Sequence, residues 1–176
     1  MFGKRGQFYL LTAVILATLL IGVATVSNYV RQTPHTNTAI NNAKNSLQIE
    51  SSDTTDYGTN QGFNDAQMQS LLTNFTNNYI RYDLQGSGYF IFGTPSGLRV
   101  ISHQDNNDNV SFNAGSGFVN LNLTQGTTST ADFTPTGTTV SIKINQFQYL
   151  FELSAGENYY FVLAQKNNDG TYIVTS

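Results

Sequence analysis

The chain has 176 residues, a net charge of −3, only 11% charged residues and no cysteine. The cations beyond its start, Arg31, Lys44, Arg81, Arg99, Lys143 and Lys166, are scattered, so no basic patch exists to neutralise phosphates and nucleic acid is excluded as a partner. Without cysteine there is no disulfide framework, thiolate nucleophile or cysteine-held metal.

Residues 8–26 contain no charge, Asn, Gln or Pro. At about 1.5 Å per residue, a helix of this length spans roughly the 30 Å of a bilayer's hydrocarbon core. Phe8, Leu11, Leu16, Leu20 and Val26 supply apolar surface, and Gly22 opens a notch where a neighbouring helix can approach closely. Lys4 and Arg5 precede this run, so the positive-inside rule places the N-terminus in the cytoplasm and everything after residue 31 outside. Pro34 disfavours the helical conformation of the residue before it, which ends this helix near residue 32 or 33.

The basic region stops at Gly6-Gln7, and KRG directly followed by QFYLL resembles the class III signal of archaeal type IV pilin-like proteins. The resemblance covers residues 4 to about 30. It implies that a prepilin-type peptidase recognises Lys4 and Arg5 and cuts between Gly6 and Gln7, leaving the hydrophobic helix on the mature protein. It further implies assembly of copies into a filament through that helix. At the fifth mature position, where many bacterial pilins carry glutamate, this chain has Leu11. Pairing of the new amine with a neighbour's carboxylate is therefore not available at that place.

Beyond Pro34, Ala39, Ile40, Ala43 and Leu47 recur at helical spacing, which predicts a helix over about 36–50, followed by a turn-rich connector at 53–61. The spacing of Met68, Leu71, Leu72, Phe75, Tyr79 and Tyr82 predicts a second helix over 64–82, capped by Asn64. From about residue 88 the period becomes two. Tyr89 to Phe92, LRVIS, VSF, FVNLNLT, ADFTP, VSIKI, FQYLFEL, NYYFVLAQ and TYIVT read as strands. FVNLNLT alternates most cleanly, and Asp169-Gly170 marks a hairpin between the last two strands. Short strands with turns every 8 to 12 residues or so predict an antiparallel, sandwich-like sheet packed against the 64–82 helix.

No pairing of residues marks catalysis or a cofactor site. His35 and His103 belong to different segments, and no GxSxG, HExxH or phosphate-loop sequence is present. Asp105, Asn106, Asn107, Asp108 and Asn109 resemble the opening of a calcium loop, but Val110 stands where its glycine belongs and Ser116 where its glutamate belongs. An Asx-rich turn is the better reading. Asn74, Asn109 and Asn122 head N-x-[ST] sequons and are candidate acceptors of N-linked glycans. Tyr159 and Tyr160 lie on alternating faces, where one exposed ring would suit contact with sugars.

The expected class is α+β: a class III signal at 1–6, a long N-terminal transmembrane or filament-core helix at 7–33, and an extracellular head at 34–176 made of helices and an antiparallel β-rich sandwich. The expected function is a non-enzymatic structural subunit of an archaeal pilus-like surface filament with an adhesive role. Its expected partners are the membrane, copies of itself, the prepilin-type peptidase and surface glycans. Two alternatives share the topology: a membrane-anchored binding module that does not polymerise, and a minor pilin.

Overall fold

The computed structural model describes residues 38–121, 123–167 and 170–176. Its first element, α1, is Thr38–Asn60. It runs through the stretch expected as a connector. There the hydroxyls of Thr54, Thr55 and Thr59 donate to the carbonyls four residues back (2.7, 2.8 and 2.9 Å), so residues that favour turns in isolation are absorbed into the helix. Gly58, which reads as a turn residue, is buried against the next helix instead. A Cβ there would stand 2.7 Å from Met68 Sδ.

The helix ends in a Schellman motif: Phe63 N–H donates to the Gly58 carbonyl and Gly62 N–H to the Thr59 carbonyl (both 3.0 Å), with Gly62 at φ 69°. The Phe63 ring packs edge-on against Tyr57, the apolar contact that accompanies this motif.

The second helix, α2, is Asp65–Tyr82, opened by a capping box in which Asn64 and Gln67 each bond the other's backbone N–H (3.0 Å). Met68, Leu72, Thr76 and Tyr79 are buried, with Leu71 and Phe75 partly so. Tyr82 departs from the expected stripe. It is 70% exposed beneath the Arg81 guanidinium, and Leu84 takes its place in the core.

Among the described residues nine strands follow: β1 (Ser87–Thr94), β2 (Gly97–Gln104), β3 (Val110–Asn113), β4 (Phe118–Leu121), β5 (Thr127–Phe133), β6 (Thr139–Ile144), β7 (Phe147–Glu152), β8 (Asn158–Asn167) and β9 (Gly170–Thr175). They form a five-stranded sheet of order β5-β2-β1-β8-β9 and a four-stranded sheet of order β4-β3-β6-β7, every pairing antiparallel. The α+β class with a long leading helix is therefore corrected. The described chain is mostly β, two antiparallel sheets with two helices on one face. The hydrophobic helix expected at 7–33 lies outside the described residues, among which no helix is long and apolar enough to cross a membrane.

Strand alternation splits the interior into two cores. Tyr89, Ile91, Leu98, Val100 and Val162 face the four-stranded sheet and meet Val110, Phe112, Val140, Ile142, Ile144 and Phe151. Phe90, Phe92, Ile101, Phe161 and Leu163 face the other way, against Ile40 and Leu47 of α1 and Met68, Leu72 and Tyr79 of α2. Strands β1 and β8 are thus covered on both faces, which is why each reads as an unbroken apolar run. At the edges the pattern loosens. Val119 of β4, opposite buried Phe112, and Phe147 of β7, opposite buried Ile144, stay exposed because an edge strand has a neighbour on one side only, while Phe118, opposite Asn113, lies on the outer face. Edge strand β5 begins at Thr127, well before the apolar residues that announced it, and its Thr and Ser residues pair with β2.

Arg99 of β2 joins its cross-strand neighbour Asp132 of β5 in a two-pronged pair (2.7 and 2.9 Å) and reaches Thr73 of α2 (3.2 Å). The hydrogen bonds and charge of this guanidinium hold the Asp132 carboxyl below the usual carboxylate range.

Among the described residues two buried polar atoms of β1 and β2, the Tyr89 hydroxyl and the Gln104 side-chain oxygen, lack a hydrogen-bond partner. The Tyr89 hydroxyl makes no hydrogen bond of normal geometry: it has only a weak interaction with Ser87, two residues back on the same face, whose hydroxyl oxygen accepts the Asp105 N–H (2.9 Å). Removing an unpaired buried hydroxyl relieves a desolvation cost. Tyr89→Phe is accordingly expected to leave stability unchanged or raise it by about 1 kcal/mol in denaturant unfolding, and a loss above about 1 kcal/mol contradicts this.

Candidate functional site

The four residues of the expected processing signal, Lys4, Arg5, Gly6 and Gln7, and the apolar positions Phe8, Leu11, Leu16, Leu20, Gly22 and Val26 lie outside the described residues. So does Asn122. The two other sequons fall in unlike settings. Asn74 is exposed on α2, but the hydroxyl of its Thr76 is buried and bonded to the Tyr159 hydroxyl (2.9 Å), so half of that sequon is sealed in the core. Asn109 is exposed in the β2–β3 loop.

That loop is tied to the β6–β7 turn rather than held open. Asn145, at φ 54°, donates its side-chain amide to the Asp108 carboxylate (2.9 Å), and its side-chain Oδ1 accepts the Asn109 N–H (3.1 Å). Asp108 N–H closes a short turn to the Asn106 carbonyl (3.0 Å), and Gln104 donates to the Asp108 carbonyl (2.8 Å). Among the described residues no three or more His, Asp or Glu side chains converge as metal ligands.

The two tyrosines proposed for sugar contact are both engaged. Tyr159 stacks on Phe92 (5.7 Å between centroids), meets Phe75 edge-on and bonds Thr76; burial pushes its phenol pKa up. Tyr160 faces the opposite sheet, stacks on Phe151 (5.0 Å) and donates to the Glu152 carbonyl. Asn158 beside them is buried, its amide donating to the Gly93, Ser154 and Gly156 carbonyls (3.2, 3.1 and 3.0 Å). This polar staple fixes the β7–β8 loop against the end of β1.

Two concavities flank the same end of β8. The larger, about 620 Å³, lies between Ser51, Ser52 and Asp56 of α1, Leu150 and Glu152 of β7, and the backbone of β8 from Tyr159 to Phe161. Leu150 is 65% exposed on its rim. The smaller, about 280 Å³, lies at the N-terminal turn of α2 and holds Asp65 and Glu157. Burial first, and the Asp65 charge second, push the Glu157 carboxyl up to about 7. Neither concavity contains a nucleophile paired with a base. Their linings combine backbone, hydroxyl and carboxylate groups with apolar surface. Sequence reading missed Asp56, Leu150, Glu152 and Glu157, since only the meeting of α1, β7 and β8 brings them together.

No family model, curated protein or solved structure matches this chain.

Glu157 also makes stability depend on pH. Its folded pKa of about 7 lies above its ordinary value of 4.5, so the native state binds more protons between those limits and stability falls as pH rises through them. Asp132 acts oppositely and only at lower pH, where its carboxylate is lost. Glu157 is about half shielded, and after screening the expected loss between pH 4.5 and pH 8 is about 1 kcal/mol. Thermal unfolding at the two pH values should show that loss in the natural chain and not in Glu157→Gln; equal slopes contradict the assignment.

Proposed function

We propose that this chain is a structural subunit of an archaeal type IV pilus-like surface filament. One observation carries the reading: KRG immediately before Q-FYLL and an uninterrupted apolar run, residues 8–26. Processing after Gly6 removes the basic pair and leaves an apolar segment that moves from lipid into contact with its copies. Among the described residues, the two cores of the β-rich domain form from Ile40 onward, which supports a head with an interior of its own. The work done is physical. Anchoring and self-packing use the apolar segment, while the head presents a low-charge surface, glycan-bearing at Asn109, to the outside.

Pro34 favours a second reading, a membrane-anchored surface module that does not polymerise, because it interrupts a continuous rod between anchor and head. A minor pilin is distinguished from the main subunit by its low copy number per filament. Mass spectrometry of the native protein tests processing: a mature N-terminus at Gln7 is expected, and an intact Met1 overturns the pilin reading.

A further inference from the structure

The four-stranded sheet has two edges, β4 and β7, each with one neighbouring strand among the described residues. Of the seven large apolar side chains exposed among those residues, four lie on these edges: Phe118 and Val119 on β4, Phe147 and Leu150 on β7. Natural edge strands are usually guarded by Lys, Pro or a bulge. Strand β4 (FVNL) has none of these, and β7 (FQYLFE) has a single charge, Glu152, at its end. The Asn145 N–H bonds the Asn109 carbonyl (2.8 Å) and the Leu153 N–H bonds the Thr138 carbonyl (2.7 Å), which fixes which way the backbone groups point along this sheet. Since they alternate sides residue by residue, those of Gln148 and Leu150 on β7, and of Phe118 and Asn120 on β4, point out from the edges.

We propose that β7 of one copy pairs with β4 of a second copy of this chain, extending the four-stranded sheet from one head to the next. Three antiparallel pairings separate β4 from β7, so the two edges run in opposite directions, and a copy brought alongside in the same orientation presents its β4 antiparallel to β7. The faces agree as well. On both edges the residues whose backbone points outward carry their side chains on the outer face, and the residues between them face the five-stranded sheet. One register then serves both strands: Gln148 opposite Asn120 and Leu150 opposite Phe118, each pair exchanging two hydrogen bonds, with Tyr149 opposite Val119 between them. Apolar side chains meet apolar ones on both faces and amide meets amide. No charge is buried, because Glu152, whose carbonyl already takes the Tyr160 hydroxyl, falls beyond the end of β4. Two different edges pair, so the contact propagates rather than stopping at a dimer. The five-stranded sheet is wider by one strand, so neighbours turn relative to each other, as subunits along a screw axis do. The apolar area on offer is a few hundred Å², short of the ~1,200 Å² of a stable interface, so the pairing needs copies already held side by side. The inference rests on the reading that copies assemble into a filament, which supplies that condition.

The chain has no cysteine, so introduced thiols report only the intended contact. Within one chain Asn120 and Gln148 stand three strands apart, about 14 Å, beyond the reach of a disulfide. The full-length Asn120→Cys/Gln148→Cys chain is expressed in cells, and its surface filaments and membranes are oxidised and run on a gel without reductant. A ladder of dimers, trimers and larger species is expected, at least tenfold more abundant than from either single variant or from Thr130→Cys/Gln148→Cys, whose first thiol lies on edge strand β5. Adding Phe118→Lys and Leu150→Lys, both at exposed side chains, sets like charges opposite one another and should cut the ladder about tenfold. Phe118→Glu with Leu150→Lys should restore it. A ladder no stronger than the Thr130→Cys control, or one indifferent to these charges, overturns the proposal. A charge-dependent ladder in membranes without filaments would remove the filament reading alone; filaments without the ladder would remove the edge pairing alone.

Discussion

Phe161→Ala is expected to lower the stability of the head by about 3–5 kcal/mol, the range for truncating a fully buried phenylalanine. Phe161 lies in β8, is 0% exposed, and belongs to the core shared by α1, α2 and the five-stranded sheet, opposite Phe90 of β1. The site has little room to collapse. Its cross-strand neighbour is held by ladders on both sides of β1, and the helices above are fixed to each other by the Gly58–Met68 approach. Domains of this size have about 5–15 kcal/mol in total, so the variant retains between most and very little of its stability, with a melting point roughly 10–20 °C lower. Leu150→Ala, on an exposed edge, serves as the control and is expected to change stability by no more than about 0.5 kcal/mol. A drop of less than about 3 °C for Phe161→Ala would mean that the helices do not seal this face as described.

The other large effect concerns location rather than folding. Leu16→Arg with Leu20→Arg puts two charges near the middle of residues 8–26. Each arginine costs about 2.5–3.5 kcal/mol on the insertion scale, so together they oppose membrane entry by about 5–7 kcal/mol, on the order of a 10⁴-fold shift in partition. The variant should leave the membrane pellet and abolish filaments while the melting point of the head stays unchanged, since the described core residues all lie at Ile40 or later. Retention in the membrane fraction, or a fallen melting point, contradicts that division of labour.

Local chemistry made much of the head legible. The Asn64 cap, the α2 stripe and the inward residues of β6, Val140, Ile142 and Ile144, could be read because each signal sits within one element. The β8–β9 hairpin, expected from Asp169-Gly170, is present as the Asn167↔Gly170 pairing. What escaped the sequence depends on partners far along the chain. Thr54, Thr55 and Thr59 favour turns until a helix gives their hydroxyls carbonyls to bond. Gly58 reads as a breaker until Met68 explains the need for close approach. The larger concavity had no local signal because it forms where α1 meets β7 and β8, distant from it in sequence.

The most direct measurement is helical reconstruction by electron microscopy of filaments sheared from the cell surface. Residues 7–33 of many copies packed along the axis, with the two-sheet head outside, is the result expected. Filaments that lack this chain, with the protein recovered only as single copies in detergent extracts or in the aqueous phase, would contradict its role as a filament subunit.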